Sequence, residues 1–235
     1  ENGWSERQER AVAAASGWLP VGELGQAHWG QIRGPIRAFA PTLFDERPDD
    51  APQPLLVDIE LAGVRIHGWL DGVTSEGLFD YRLRDLGAWE LAPFWLRHLL
   101  LNCAATPEIS RDSRLLSPKS EWRLGALANA RELLLPWLEA YKRALCEPLP
   151  LFAKCSHGFA RKWRSPGKKE PIDAARSEAR VMWQGNDFMT GEGQDPWNAL
   201  AFRDREALDE RFEMLAEQLY GPALDALQGS DEDEA

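Results

Sequence analysis

Cysteine, histidine and positive charge are all scarce in this chain of 235 residues. Its three cysteines, Cys103, Cys146 and Cys155, are far apart, lack metal-ligand spacing and lie in or beside apolar segments. They are expected to be buried thiols in a reducing compartment. The four histidines, His28, His67, His98 and His157, form no close pair, which leaves no basis for a zinc site. No apolar run reaches membrane-spanning length and no signal peptide is recognisable, so a cytoplasmic protein without membrane contact is expected. Lysine and arginine number 27 against 38 acids, a net charge of −11. That balance excludes a protein that coats itself in nucleic acid, because such binding neutralises phosphates with cations. Any contact with DNA must be local.

What is present is enough for one full core, and the chain is read as a single domain over 1–228. It comprises a helical part (1–50), a sheet with central helices (55–155) and a helical end (172–228). Residues 229–235 carry Asp231 to Glu234 and read as a disordered acidic tail. The chain does not start with Met and opens in a polar helix, as expected for a piece of a longer protein. Eleven tryptophans supply large, rigid area for a core or for an interface with partners, with core the first expectation.

Periodicity places the elements. Ser5 and Gln8 make a capping box for an Ala-rich helix that stops at Gly17. A second amphipathic helix should kink or break at Gly34 and Pro35. From Leu55 to Leu61 apolar and acidic residues alternate, the mark of a half-buried strand, and Val64 to Leu70 and Leu78 to Leu83 complete an antiparallel meander. Helical spacing resumes after Gly87, and two short strands are expected near 114–116 and 122–124. A long helix follows from Ala126 to Leu145 with Pro136 inside it. Leu149 to Cys155 suits a further strand, Ile172 to Met182 a helix, and a last helix should end at Gly221 and Pro222.

The stretch VRIHGWLDGVTSEGLFDYRL, residues 64–83, is the most informative. It sets Asp71 and Asp80 on adjacent strands with Arg82 two residues beyond the second acid. A metal-dependent nuclease core has such a pair of acids, followed after one spacer by lysine. The carboxylates hold Mg²⁺ through hard oxygen ligands and the lysine assists the attacking water. Arg82 stands where that lysine belongs, and a guanidinium stays protonated and prefers to pair with carboxylates. The residues therefore read either as a salt-bridged, metal-free remnant or, alternatively, as an active Mg²⁺-dependent nuclease using Asp71 and Asp80. Glu23 and His28 on the second helix are the remaining candidates for a catalytic complement. A surface pair with no chemistry is the blander account.

A second cluster runs from Lys154 to Lys169 with six cations and no acid. Arg161, Lys162, Trp163, Arg164, Lys168 and Lys169 are candidate DNA contacts, cations for phosphates and an aromatic for a base. Read blandly, they are a solvated loop. GEGQDPW at 191–197 reads as a tight turn with Asp195 as cap and Pro196 at the first helical position.

Four segments in order, GWLPVGELG at 17–25, VDIELAGVRIHGWLDGV at 57–73, FWLRHLLLNCA at 94–104 and GEGQDPW at 191–197, resemble the C-terminal end of the RecC family. These are the gamma subunits of bacterial exodeoxyribonuclease V, the RecBCD helicase-nuclease. The resemblance implies an α/β (α+β) fold of the PD-(D/E)XK restriction-endonuclease-like kind. It has a mixed sheet with an antiparallel meander flanked by helices, and its catalytic residues are degenerate. It implies no cofactor in this domain, partnership with a RecB-like beta subunit, a RecD-like alpha subunit and DNA, and a structural, DNA-guiding role in double-strand break repair and recombination. Position by position, Asp71 matches the first metal-binding acid of the active relatives, Asp80 the second, and Arg82 the lysine. The spacing between the acids is shorter than in those relatives. Their early-helix histidine stands four residues after a glycine, whereas Gly25 to His28 is one residue short. Reading of the Chi sequence belongs to upstream domains and is not expected here.

Overall fold

The computed structural model describes residues 5–165 and 171–228. The acidic tail at 229–235 and the cations Lys168 and Lys169 lie outside the described residues. The chain divides into two compact units, Glu1–Arg47 and Pro48–Ala235.

The first unit is a pair of helices, α1 (Glu6–Ala15) and α2 (Glu23–Glu46). Gln8 Oε1 accepts from the Ser5 backbone N–H at 2.8 Å, one arm of the expected capping box. Arg33 of α2 lies 2.7 Å from Glu6 and 2.9 Å from Glu9 of α1. The break expected at Gly34 and Pro35 does not occur, and α2 runs on through Pro35 and Pro41. Proline removes one backbone donor, yet its fixed φ is helical, so the flanking turns hold the helix together.

The second unit is built on a sheet. Its strands are β1 (Gln53–Leu61), β2 (Val64–Thr74), β3 (Gly77–Tyr81), β4 (Ser113–Leu116) and β5 (Glu121–Leu124). The first three form the expected antiparallel meander; β4 lies parallel to β3 and β5 antiparallel to β4. The parallel crossover is α3 (Ala88–Ala104), whose Leu91, Phe94, Trp95 and Leu99 pack on the inward row of Val57, Ile59, Leu70 and Leu78. Gly77 turns β2 into β3 at φ +107°, and a Cβ there would lie 2.2 Å from the Asp112 carbonyl oxygen, so only glycine fits.

Further along come α4 (Ala130–Ala144), α5 (Ala153–Arg164) and α6 (Pro171–Gln184). A hairpin of β6 (Gly185–Asn186) and β7 (Met189–Thr190), the short helix α7 (Pro196–Ala201), α8 (Glu210–Ala226) and an edge strand β8 (Leu227–Gln228) complete the chain. Three expectations are corrected. Leu149 to Cys155 is no strand: from Ala153 it is the start of α5, whose Cys155 and Phe159 fill a second core with Phe152, Phe202 and Phe212. The last helix passes through Gly221 and Pro222 to Ala226. Cys146 is exposed, although Cys155 is fully buried as expected.

One buried polar cluster stitches α3 to the sheet. His98 Nδ1 lies 2.8 Å from Ser113 Oγ of β4. Asn102 donates to the Arg111 carbonyl at 3.0 Å and accepts from the Leu127 N–H at 2.8 Å. Among the described residues no helix is long and apolar enough to cross a membrane.

Candidate functional site

Asp80 lies on the same face of β3 as the core residue Leu78, which aims it at α3 rather than at water. Its carboxylate meets two arginines. Arg82 Nη1 is 3.0 Å from Oδ1, and Arg97 of α3 donates Nη1–H to Oδ2. Oδ1 also accepts the Tyr81 backbone N–H at 2.8 Å. About a quarter of each side chain, Asp80 and Arg97, reaches solvent.

Asp71 enters the cluster by its main chain. Leu70 and Val73 are both buried, although three residues apart on a regular strand would put them on opposite faces. One residue is therefore bulged out at Asp71–Gly72, and Gly72 takes φ +82° with its Cβ position 2.8 Å from the Phe79 carbonyl oxygen. Arg97 Nη2 donates to the Asp71 carbonyl at 2.6 Å. The exposed Asp71 carboxylate has no ion pair among the described residues. The structure thus joins Asp80 with Arg82, adds Arg97, and leaves the side chain of Asp71 apart. Glu23 and His28 lie on α2, in the other unit.

Arg97 is the residue that sequence reasoning missed. It falls at helical spacing, three residues after Phe94, within the apolar stripe of α3, and a lone cation on such a stripe was the available signal. The donor set does not fit Mg²⁺. Both Asp80 oxygens are engaged by fixed positive charge, and among the described residues no three His, Cys, Asp or Glu side chains converge on one point.

The basic segment is helical rather than a loop through Arg164. Arg164 is held by Glu217 and, at 2.9 Å, by Asp225 of α8; Arg161 lies 3.6 Å from Glu178. Lys162 has no ion-pair partner among the described residues, and Trp163 is 39% exposed while its ring leans on Phe159 at 5.6 Å. Of the six candidates, therefore, Lys162 and Trp163 remain available for a ligand within the described part.

GEGQDPW does more than turn the chain. Asp195 accepts from the Trp197 and Asn198 N–H groups and caps α7, as expected. Glu192, buried, accepts from the N–H of Lys154 at 3.1 Å and of Cys155 at 2.8 Å, so it caps α5 from 37 residues away. Burial and this carboxylate push the Cys155 thiol far up, leaving it inert.

A family model described as the RecC C-terminal domain matches residues 2–164. The chain belongs to that family. It is 28% identical over 223 residues to RecBCD enzyme subunit RecC of Escherichia coli (strain K12), which covers 91% of this chain and 19% of that protein. It is 23% identical over 202 residues to RecBCD enzyme subunit RecC of Buchnera aphidicola subsp. Schizaphis graminum (strain Sg), covering 83% of this chain and 19% of the relative. The chain thus spans about a fifth of the RecC proteins it matches, and the match to the RecC C-terminal domain takes in both acids, Arg82, Arg97 and the whole of α5.

Proposed function

We propose that this domain is a non-catalytic, structural and DNA-guiding part of a RecBCD-type complex in the cytoplasm, acting in double-strand break repair and recombination. In this reading it is the end of a gamma subunit and docks a RecB-like beta subunit, a RecD-like alpha subunit and DNA. Its sheet is a PD-(D/E)XK platform that has lost its chemistry. Membership of the RecC C-terminal family supports the complex, and a meander followed by a helix and a parallel strand supports the ancestry. The observation that carries the loss of activity is the closure of Arg82 and Arg97 on Asp80. A guanidinium cannot accept a proton from water, and two of them beside one carboxylate repel a divalent cation.

Titrating the chain with Mg²⁺ or Mn²⁺ over labelled single-stranded and duplex DNA is expected to give no cleavage above the metal-only blank. Metal-dependent cutting that Asp80→Ala abolishes would overturn the reading. For DNA guidance, the exposed end of α5 is the place to look, with Lys162 for a phosphate and Trp163 for a base. Lys162→Glu combined with Trp163→Ala is expected to weaken single-strand binding about tenfold and to lower the slope of log affinity against log salt by about one. Equal affinity and slope would remove α5 from the interface. Arg161 and Arg164 are poor probes, because their loss would strand Glu178, Glu217 and Asp225.

A further inference from the structure

We propose that the open edge of β2, with the apolar groove beside it, takes an extended acidic segment of a partner protein, which adds to the sheet as a strand. The proposal rests on the reading of this domain as a docking platform and names one surface and the chemistry of its occupant. β2 pairs with β1 along Val64–Leu70 but with β3 only at Val73 and Thr74. Over its first seven residues one side of the strand has no neighbour among the described residues of the sheet.

The turn fixes which groups face that open side. Ala62 and Gly63 form a two-residue loop with φ of 47° and 71°, the type I′ geometry that makes Leu61 and Val64 a hydrogen-bonded pair. Pairs then alternate, so Val64, Ile66 and Gly68 bond to β1 while Arg65, His67 and Trp69 turn their N–H and C=O away from it. Among the described residues no hydrogen bond meets those six groups. Exposed edges of this kind are ordinarily covered, bulged, interrupted by proline or lined with charge; between Val64 and Leu70 there is no proline and no bulge, and Arg65, whose charge is taken up by Asp58, is the one arginine or lysine.

A cavity of about 770 Å³ runs along the same edge. It touches Val64, Arg65, Ile66 and His67 in succession, and because successive strand residues point to opposite faces, a cavity that meets all four lies against the edge itself. Its far wall is Leu96 and Leu100 of α3 with Trp137 and Tyr141 of α4. Unpaired amides beside an apolar wall suit another polypeptide in extended form, whose main chain bonds the edge and whose alternate side chains enter the groove. A nucleic acid matches neither. The charge at the mouth sets the flanks: Asp58 is bound to Arg65, and Glu147 is bound to Arg211 and also feels the charge of Arg143, while Lys142 of α4 donates to the Ala62 carbonyl at 3.2 Å and has no carboxylate partner among the described residues, so the cations outnumber the acids. In a chain of net charge −11, this local excess favours acidic side chains on the incoming strand.

The test uses the full chain, without DNA or metal, and a short fluorescein-labelled peptide of alternating valine and glutamate. Saturable binding by anisotropy is expected, with about tenfold loss for the same peptide N-methylated at alternate residues, as removal of one main-chain hydrogen bond or more requires. His67→Pro removes a donor from the open side while sparing the ladder to β1, and Trp137→Ala shortens the far wall; each is expected to weaken binding about tenfold. Absence of saturable binding, or equal binding of the methylated peptide, overturns the proposal, as does sedimentation of the chain as a dimer that His67→Pro dissociates. The methylated-peptide arm needs no variant to fold. Cleavage in the nuclease assay would leave this result untouched, and failure here would leave the inactive site as it stands.

Discussion

Replacing Glu192 with alanine is expected to lower the unfolding free energy of the second unit by about 3 kcal/mol, the loss of two charge-assisted hydrogen bonds from a buried acceptor together with its helix-end attraction. The carboxylate is 7% exposed and receives the Lys154 and Cys155 N–H groups at the first turn of α5. No side chain of the preceding residue Phe152 supplies a cap, so without Glu192 both donors lose their acceptor, the Cys155 N–H in a buried place and the Lys154 N–H in a half-buried one. The same turn carries Cys155 and Phe159 into the second core, where Phe159 and Phe212 meet edge to face at 5.5 Å. Loosening it disturbs packing as well as hydrogen bonding. Thermal unfolding is expected about 6 to 12 °C lower. Glu192→Gln keeps one oxygen acceptor and should lose about half as much. A loss below about 1 kcal/mol for the alanine variant would mean that water replaces the carboxylate, and the long-range cap would have no energetic standing.

The meander was legible because a strand half exposed to water writes its burial as a period of two. Leu55, Val57, Ile59 and Leu61 alternate with Asp58 and Glu60, and the observed strand follows them. Where both faces of an element are buried or charged, that signal vanishes. The start of α5 offers Leu149, Leu151 and Phe152 and then a run of cations, which pattern alone renders as a strand and a loop; the helix is dictated by Glu192, far along the chain, and by ion pairs to α6 and α8. Tryptophan was misleading for a related reason. Trp95 and Trp122 are core residues, yet Trp69, Trp89 and Trp197 are more than half exposed. At the candidate site the acids and Arg82 could be read from spacing, but the bulge at Gly72 could not. It is a single extra residue, and it decides that Asp71 offers its carbonyl rather than its carboxylate to Arg97.

Acid should destabilise the second unit before its carboxylates begin to protonate, because of His98. The ring is fully buried, and burial lowers its pKa from the ordinary 6.5 to about 4, against smaller opposing effects of a hydrogen bond to the Gly125 backbone and the charge of Asp112. The neutral ring is accommodated between Ser113 Oγ, 2.8 Å from Nδ1, and the Gly125 backbone, and a second proton would put a buried charge between α3 and β4. Above pH 6.5 neither the folded nor the unfolded chain protonates this residue, and its contribution is complete. Between pH 6.5 and about 4 the unfolded chain binds a proton that the folded chain refuses, so stability falls as pH falls; below about 4 both states carry it and the loss stops. The window corresponds to about 3 kcal/mol. His157 acts in the same direction, lowered to about 4 by burial and then by Arg161. The carboxylates of Asp58 and Glu147 are held below their ordinary values by Arg65 and Arg211, so their losses come at lower pH than those of the histidines. Urea unfolding of the intact chain at steps from pH 7 to 4 is expected to show the decline, and His98→Gln should flatten it by about half even if it starts from lower stability. A slope unchanged in that variant would assign the acid sensitivity elsewhere and leave the His98, Ser113 and Asn102 cluster as a neutral pin.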